Sequence, residues 1–137
     1  MSVHAPLILI VDDDPNSHFF AKRALMKGAG IKSFIETWNG QEAISSILEH
    51  ATGDGNEVTH VLLDIAMPVM DGFEFLEAFE SLPSETTKNI RVLLVSSSPN
   101  QEDHRRAMSH RCVRAVFEKA LMPSDCPAIL GPTAAAA

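Results

Sequence analysis

The sequence predicts an α/β fold: a doubly wound (βα)5 three-layer sandwich on a five-stranded parallel sheet, with a shortened last helix. Three observations predict it. The runs Leu7-Ile8-Leu9-Ile10-Val11, Val61-Leu62-Leu63 and Val92-Leu93-Leu94-Val95 show no polar alternation, so they read as strands buried on both faces, as in a parallel sheet covered by helices. Between them lie segments with apolar residues at helical spacing, which gives a β/α alternation. Finally, the strand ends carry chemistry: Asp12-Asp13, Asp64, Ser96 and, after Val113 to Phe117, Lys119. Such a sheet binds ligands at its carboxyl edge, where these groups would collect, and carboxylates with one lysine and one hydroxyl suit Mg²⁺ and phosphate.

Taken in order, Asp14-Pro15 supplies an N-cap and a first-turn proline after the first strand. Phe20/Ala24 and Ala21/Leu25 then repeat at i, i+4, and Gly28 closes the first helix. Ser33 to Thr37 forms the second strand. Asn39-Gly40-Gln41-Glu42 resembles a capping box, opening a helix with Ala43, Ile44, Ile47 and Leu48 inward. Gly53-Asp54-Gly55-Asn56 is a loop. After the third strand Asp71 caps a helix whose Phe75, Leu76, Phe79 and Leu82 face the sheet, and Leu82-Pro83-Ser84 ends it. The fourth strand, Ile90 to Val95, leads into Ser96-Ser97-Ser98-Pro99-Asn100 and a polar helix over Gln101 to His110, whose only apolar residues, Ala107 and Met108, predict light packing. A fifth strand over Val113 to Phe117 leaves Pro123 to Leu130 for a last helix of about two turns, kept short by Pro127 and Gly131-Pro132.

At 137 residues and 45% hydrophobic content the chain suffices for one domain with a real core. The expected division is an N-terminal extension (1–5), one domain (6–130) and a low-complexity tail or linker (131–137). A net charge of -7 and a pI near 5.2 argue against a nucleic-acid surface. Arg105, Arg106, Arg111 and Arg114 gather only loosely and read as a solvated helix face. Cys112 and Cys126 are not in a C-x-x-C pair, so reduced thiols are expected. The start lacks a signal-peptide pattern and no stretch approaches a membrane span, which predicts a cytoplasmic protein without membrane contact.

The segment Asp64-Ile65-Ala66-Met67-Pro68-Val69-Met70-Asp71-Gly72 resembles the phosphoacceptor motif of response-regulator receiver domains, the CheY-like family of bacterial two-component signalling. Val11-Asp12-Asp13-Asp14-Pro15 resembles that family's acidic start, Leu94-Val95-Ser96-Ser97 its strand-four hydroxyl, and Phe117-Glu118-Lys119 its strand-five lysine. Alone, each patch has a plainer reading as a turn with a helix cap, a polar loop or a surface lysine; four in family order set those readings aside. Met67-Pro68 and Asp71-Gly72 mostly serve backbone geometry, Gly72 permitting close packing at a helix start.

The resemblance implies the strand order 2-1-3-4-5 and a phosphorelay in which Asp64 takes a phosphoryl group from a sensor histidine kinase or a phosphotransfer protein. Mg²⁺ would lie on Asp13, Asp64, the Ala66 backbone carbonyl and, through water, Asp12; Ser96 and Lys119 would stabilise the phosphoryl group. The switch region would be Ser96, Ser97 and Val116. The surface toward an unknown downstream protein would include Arg105, Arg106, Met108, Val116 and Pro123. Such a domain promotes only its own phosphorylation and dephosphorylation, and the shortened last helix implies a monomer or weak dimer.

Three features depart from the family pattern: Ala120 follows the lysine where proline is usual, Val116 stands where an aromatic is common, and the last helix is short. Alanine predicts a trans Lys119–Ala120 bond, with Lys119 less firmly pointed inward when neither metal nor phosphoryl group holds it. Two other classes remain in view. A pseudo-receiver would dock partners without phosphorylation. A haloacid-dehalogenase-like phosphatase would use Asp12 with Asp14, Ser96 and Lys119, but it leaves Asp64 idle and lacks an acidic pair after the lysine, where only Asp125 occurs. His4, His18, His50, His60, His104 and His110 show no metal-ligand spacing and read as scattered surface or loop residues; His18, one turn into the first helix, is the one placed to modulate the acidic pocket's response to pH.

Overall fold

The computed structural model describes residues 5–53, 55–97 and 100–131. The parallel strands β1 (Ile8–Val11), β2 (Phe34–Thr37), β3 (His60–Leu63), β4 (Arg91–Ser96) and β5 (Val113–Glu118) pair in the order β2-β1-β3-β4-β5, as expected. This order reverses direction at β1 and β3, which leaves a crevice above their carboxyl ends. Val11 and Leu63 are in register there, so Asp12 and Asp64 leave the sheet side by side. Every residue of β1 and β3 is buried, and β4 is buried beyond Arg91. The edge strands β2 and β5 are only partly covered.

The helices are α1 (Pro15–Ala29), α2 (Gly40–Glu49), α3 (Gly72–Glu80), α4 (Ser84–Thr87), α5 (Gln101–Met108) and α6 (Cys126–Leu130), with a 3₁₀ turn over Pro123–Asp125. One core cluster packs Ala43, Ile47, Phe75, Leu76, Phe79 and Ala107 against one sheet face. A second joins Ala21, Ala24, Leu25, Cys126 and Ile129 to Ile8, Ile10, Leu62, Leu93 and Val95 on the other. The caps follow the sequence. Asp14 accepts from Asn16 N–H at 2.9 Å, Asn39 accepts from Glu42 N–H at 3.0 Å, and Asp71 with Glu74 forms a full capping box.

Several expectations are corrected. Gly28 does not end α1; Gly30 does, in the left-handed conformation at φ 67°. Gly28 is instead a contact residue, since a Cβ there would lie 2.6 Å from Cys126 Sγ and 2.6 Å from the Pro123 carbonyl oxygen. Pro83 not only stops α3 but starts α4, its carbonyl accepting from Thr86 N–H at 2.9 Å. The polar helix ends at Met108 rather than His110, and the last helix divides into the 3₁₀ turn and α6. The short α6 is anchored at its end: Arg91 reaches the Ile129 and Ala128 carbonyls, both at 3.4 Å, and His60 Nε2 lies 3.3 Å from the Leu130 carbonyl. The Lys119–Ala120 bond is cis, not trans. Tertiary context prevails over local preference at this turn, where Lys119 N–H donates to the Ser96 carbonyl at 3.1 Å. His18 and His60 are buried rather than on the surface. Residues 1–4, Asp54, Ser98, Pro99 and 132–137 lie outside the described residues, and with them nearly all of the expected extension and tail.

Candidate functional site

The carboxyl edge of β1 and β3 holds the acidic groups. Asp12 and Asp64 are buried, Asp13 is exposed, and one carboxylate oxygen from each lies within 4.8 Å of the others. The local backbone is hydrogen-bonded in place. Asp64 N–H donates to the Val11 carbonyl at 3.0 Å, and Asp14 N–H donates to Asp12 Oδ1 at 3.0 Å. Behind Asp64 the start of α3 comes very close: a Cβ on Gly72 would lie 2.6 Å from the Asp64 carbonyl oxygen, so only glycine admits this approach. Ala66 is exposed in the loop two residues beyond Asp64. In the same loop Val69 adopts φ 67°, an uncommon conformation for a β-branched residue.

Lys119 Nζ lies 2.7 Å from Asp12 Oδ2 and 3.6 Å from Asp64 Oδ1. The side chain is thus firmly inward, against the expectation of a loosely directed lysine. The Asp12 and Asp64 carboxylates supply the attraction that holds it there. Burial alone would favour the neutral amine, but Asp12 and Asp64 outweigh it and raise the lysine's pKa. Asp64 shows the reverse imbalance. Burial first, then the negative charge of Asp12, push its pKa from 3.8 to about 6, with Lys119 offsetting only part.

These residues fit a divalent cation. Three carboxylates face one ammonium, and burial together with the charge of Asp12 raises the Asp64 pKa. Clustered hard oxygen donors are the chemistry of Mg²⁺. Ser96 is buried at the end of β4, and Ser97 is exposed just beyond it. Val116 is half-buried on β5 and packs against the first core cluster. Beside the carboxylates a cleft of about 200 Å³ runs down between α1 and the sheet, with Asp12, Asp14, Asp64 and Lys119 at its mouth and Ile10, Leu62, Val95 and Leu121 below. Arg105, Arg106, Met108 and Pro123 are all exposed.

Sequence reasoning missed Trp38. Its ring stacks on His18 with centroids 4.0 Å apart, and His18 Nε2 lies 2.9 Å from the Asp12 carbonyl oxygen. The signal for it is its position at the carboxyl end of β2, on the same edge and directly after the buried Thr37. Among the described residues no helix is long and apolar enough to cross a membrane.

A family model described as the response regulator receiver domain matches residues 8–126. A probable methanogenesis regulatory protein, FilR2, of Methanothrix harundinacea is 30% identical over 107 residues, covering 77% of this chain and 67% of that protein. A probable cyclic di-GMP phosphodiesterase of Vibrio cholerae is 29% identical over 85% of this chain but only 24% of its own length. The chain therefore spans about two thirds of the one relative and a quarter of the other. In structure, a two-component response regulator from Cytophaga hutchinsonii superposes with a TM-score of 0.82 at 21% identity, covering 93% of this chain and 95% of that one.

Proposed function

This chain belongs to the response-regulator receiver family, and on that premise we propose that Asp64 accepts a phosphoryl group from a phosphohistidine on a sensor histidine kinase or a phosphotransfer protein. The observation that carries this reading is the meeting of Asp12, Asp13 and Asp64 within 4.8 Å, with Lys119 across them. Asp13, Asp64 and the Ala66 carbonyl would hold Mg²⁺, with Asp12 acting through water. When bound, the ion neutralises carboxylate charge and stabilises phosphoryl oxygens.

The protein's part is positioning and electrostatics. An Asp64 carboxylate oxygen forms the new bond to phosphorus as the bond from phosphorus to the histidine nitrogen breaks. Lys119, held over Asp12 and Asp64, is within reach of the added charge, and the Ser96 hydroxyl donates to a phosphoryl oxygen. The group adds roughly -1.5 to -2 charge at pH 7. That charge biases the β4–α5 loop with Ser96 and Ser97, then α5 and Val116, between two arrangements. The output surface is Arg105, Arg106, Met108, Val116 and Pro123, and it meets a protein rather than nucleic acid or membrane. The domain turns over no external substrate and acts as a monomer or weak dimer in the cytoplasm.

The test is incubation with Mg²⁺ and acetyl phosphate, followed by intact mass. Wild type should gain one phosphoryl group and Asp64→Asn none. Labelling of Asp64→Asn at the wild-type rate would overturn the assignment, and no labelling of wild type by any donor would favour a docking module that works without phosphorylation. A phosphatase centred on Asp12 would leave Asp64, the buried carboxylate beside it, without a role.

A further inference from the structure

We infer that His18 is a positioning residue for the acidic site: an imidazole with its proton on Nε2 holds the Asp12 carbonyl and so fixes the direction in which the Asp13 carboxylate leaves the chain. This rests on the reading of Asp12, Asp13 and Asp64 as a Mg²⁺ site.

The tautomer follows from the contact. A carbonyl oxygen only accepts, so the 2.9 Å approach of Nε2 to the Asp12 oxygen requires the proton on that nitrogen. The other nitrogen, Nδ1, is buried with no hydrogen-bond partner among the described residues and lies 3.9 Å from Glu36 Oε1. Glu36 is in turn paired with Lys22. The whole residue is only 2% exposed, and its ring is held flat by the stack on Trp38, 25° from parallel. As a core residue this is poor chemistry, since a buried ring nitrogen without a partner costs free energy that Leu or Phe would avoid. What histidine supplies and they cannot is the N–H on Asp12.

The held oxygen belongs to the peptide that joins Asp12 to Asp13. It lies one residue past the Val11 carbonyl, which takes Asp64 N–H from β3. Rotation of that peptide would turn the Asp13 side chain relative to Asp64. The Asp12 carboxylate has its own anchors in Asp14 N–H and Lys119, so the effect falls chiefly on Asp13. Sequence alone places His18 near the acidic pocket; only its burial and the direction of Nε2 assign this role.

Three variants separate positioning from packing. His18→Phe keeps an aromatic ring against Trp38 and lacks the donor. His18→Gln carries an amide N–H the same number of bonds from Cα as histidine Nε2, and His18→Asn stops one bond short. Mg²⁺ alone is titrated into each ¹⁵N-labelled protein, following the Asp13 and Asp14 amide signals, with thermal unfolding in EDTA measured alongside. Partners that orient metal ligands typically contribute 10- to 100-fold in affinity, so His18→Phe and His18→Asn should weaken Mg²⁺ binding about tenfold. His18→Gln should recover most of it, whatever the order of unfolding temperatures. Wild-type affinity in a folded His18→Phe or His18→Asn protein would overturn this inference alone, as would His18→Gln no better than His18→Asn. A wild-type protein that binds no Mg²⁺ would overturn both this inference and the reading beneath it.

Discussion

The helices α1 and α5 cover the same sheet under opposite rules. α1 buries His18, Ala21, Ala24 and Leu25, and admits the 3₁₀ turn and α6 at Gly28 with no room for a side chain. α5 buries only Ala107. Polar contacts hold it: Arg106 lies 3.9 Å over the Phe73 ring, and His110, just past its end, lies 2.8 Å from Glu80. The β4–β5 pairing beneath it also slips between Val92 and Leu93. Close packing is bistable at best and resists small shifts, whereas a helix held by a few surface contacts can be moved by a local change in charge. The acidic site sits against the first kind of structure, and the chain runs from Ser96 at the end of β4 into the second.

The largest test of this contrast concerns the site itself. With its pKa raised from 3.8 to about 6, Asp64 binds its proton more tightly folded than unfolded, so its contribution to stability falls as pH rises from about 4 through 6. In EDTA, Asp64→Asn should therefore be more stable than wild type at pH 7, by up to about 3 kcal/mol, with the difference gone below pH 4. Denaturant unfolding at both pH values measures it. An equal or lower stability for Asp64→Asn at pH 7 would remove the claim that the carboxylates of the acidic site repel one another in EDTA.

Gly28→Val comes next, because its side chain meets the Pro123 backbone and Cys126 Sγ. A loss of about 1–3 kcal/mol is expected on unfolding, as for other overpacked cores. A neutral result would mean that α1 and α6 are as loosely joined as α5. Arg106→Ala should cost only about 0.5–1 kcal/mol, the worth of one cation–π contact at an exposed site. It should still raise amide exchange across α5 while leaving α1 protected. The smallest effect belongs to Glu102→Gln: it breaks an ion pair to Arg105 whose side chains are 74% and 71% exposed, and such pairs contribute little.

How legible this was in the sequence differs across the molecule in the same way. The central strands and the groups at their ends were readable because two-sided burial leaves uninterrupted apolar runs, so Asp12, Asp64 and Lys119 could be placed by counting to the end of each run. The lightness of α5 was equally plain from its composition. What escaped depended on contacts between distant segments. Gly28 looks like any helix stop until Pro123 and Cys126 are packed against it. Lys119 looks loosely directed until the two carboxylates face it. A histidine one turn into a helix gives no local sign that Trp38, twenty residues on, will cover it. Pro83 reads locally as a helix stop, and the chain also uses it to open α4.

The most direct measurement follows amide signals of ¹⁵N-labelled protein as Mg²⁺ and then beryllofluoride, a phosphoryl mimic, are added. Changes are expected at Asp13 and Asp64 that extend through Ser96 and Ser97 into α5 and β5, with little change in α1 beyond Ala21 or in α6, and no beryllofluoride response in Asp64→Asn. Changes that run along α1 and α6 while α5 stays still, or an unaltered response in Asp64→Asn, would contradict this.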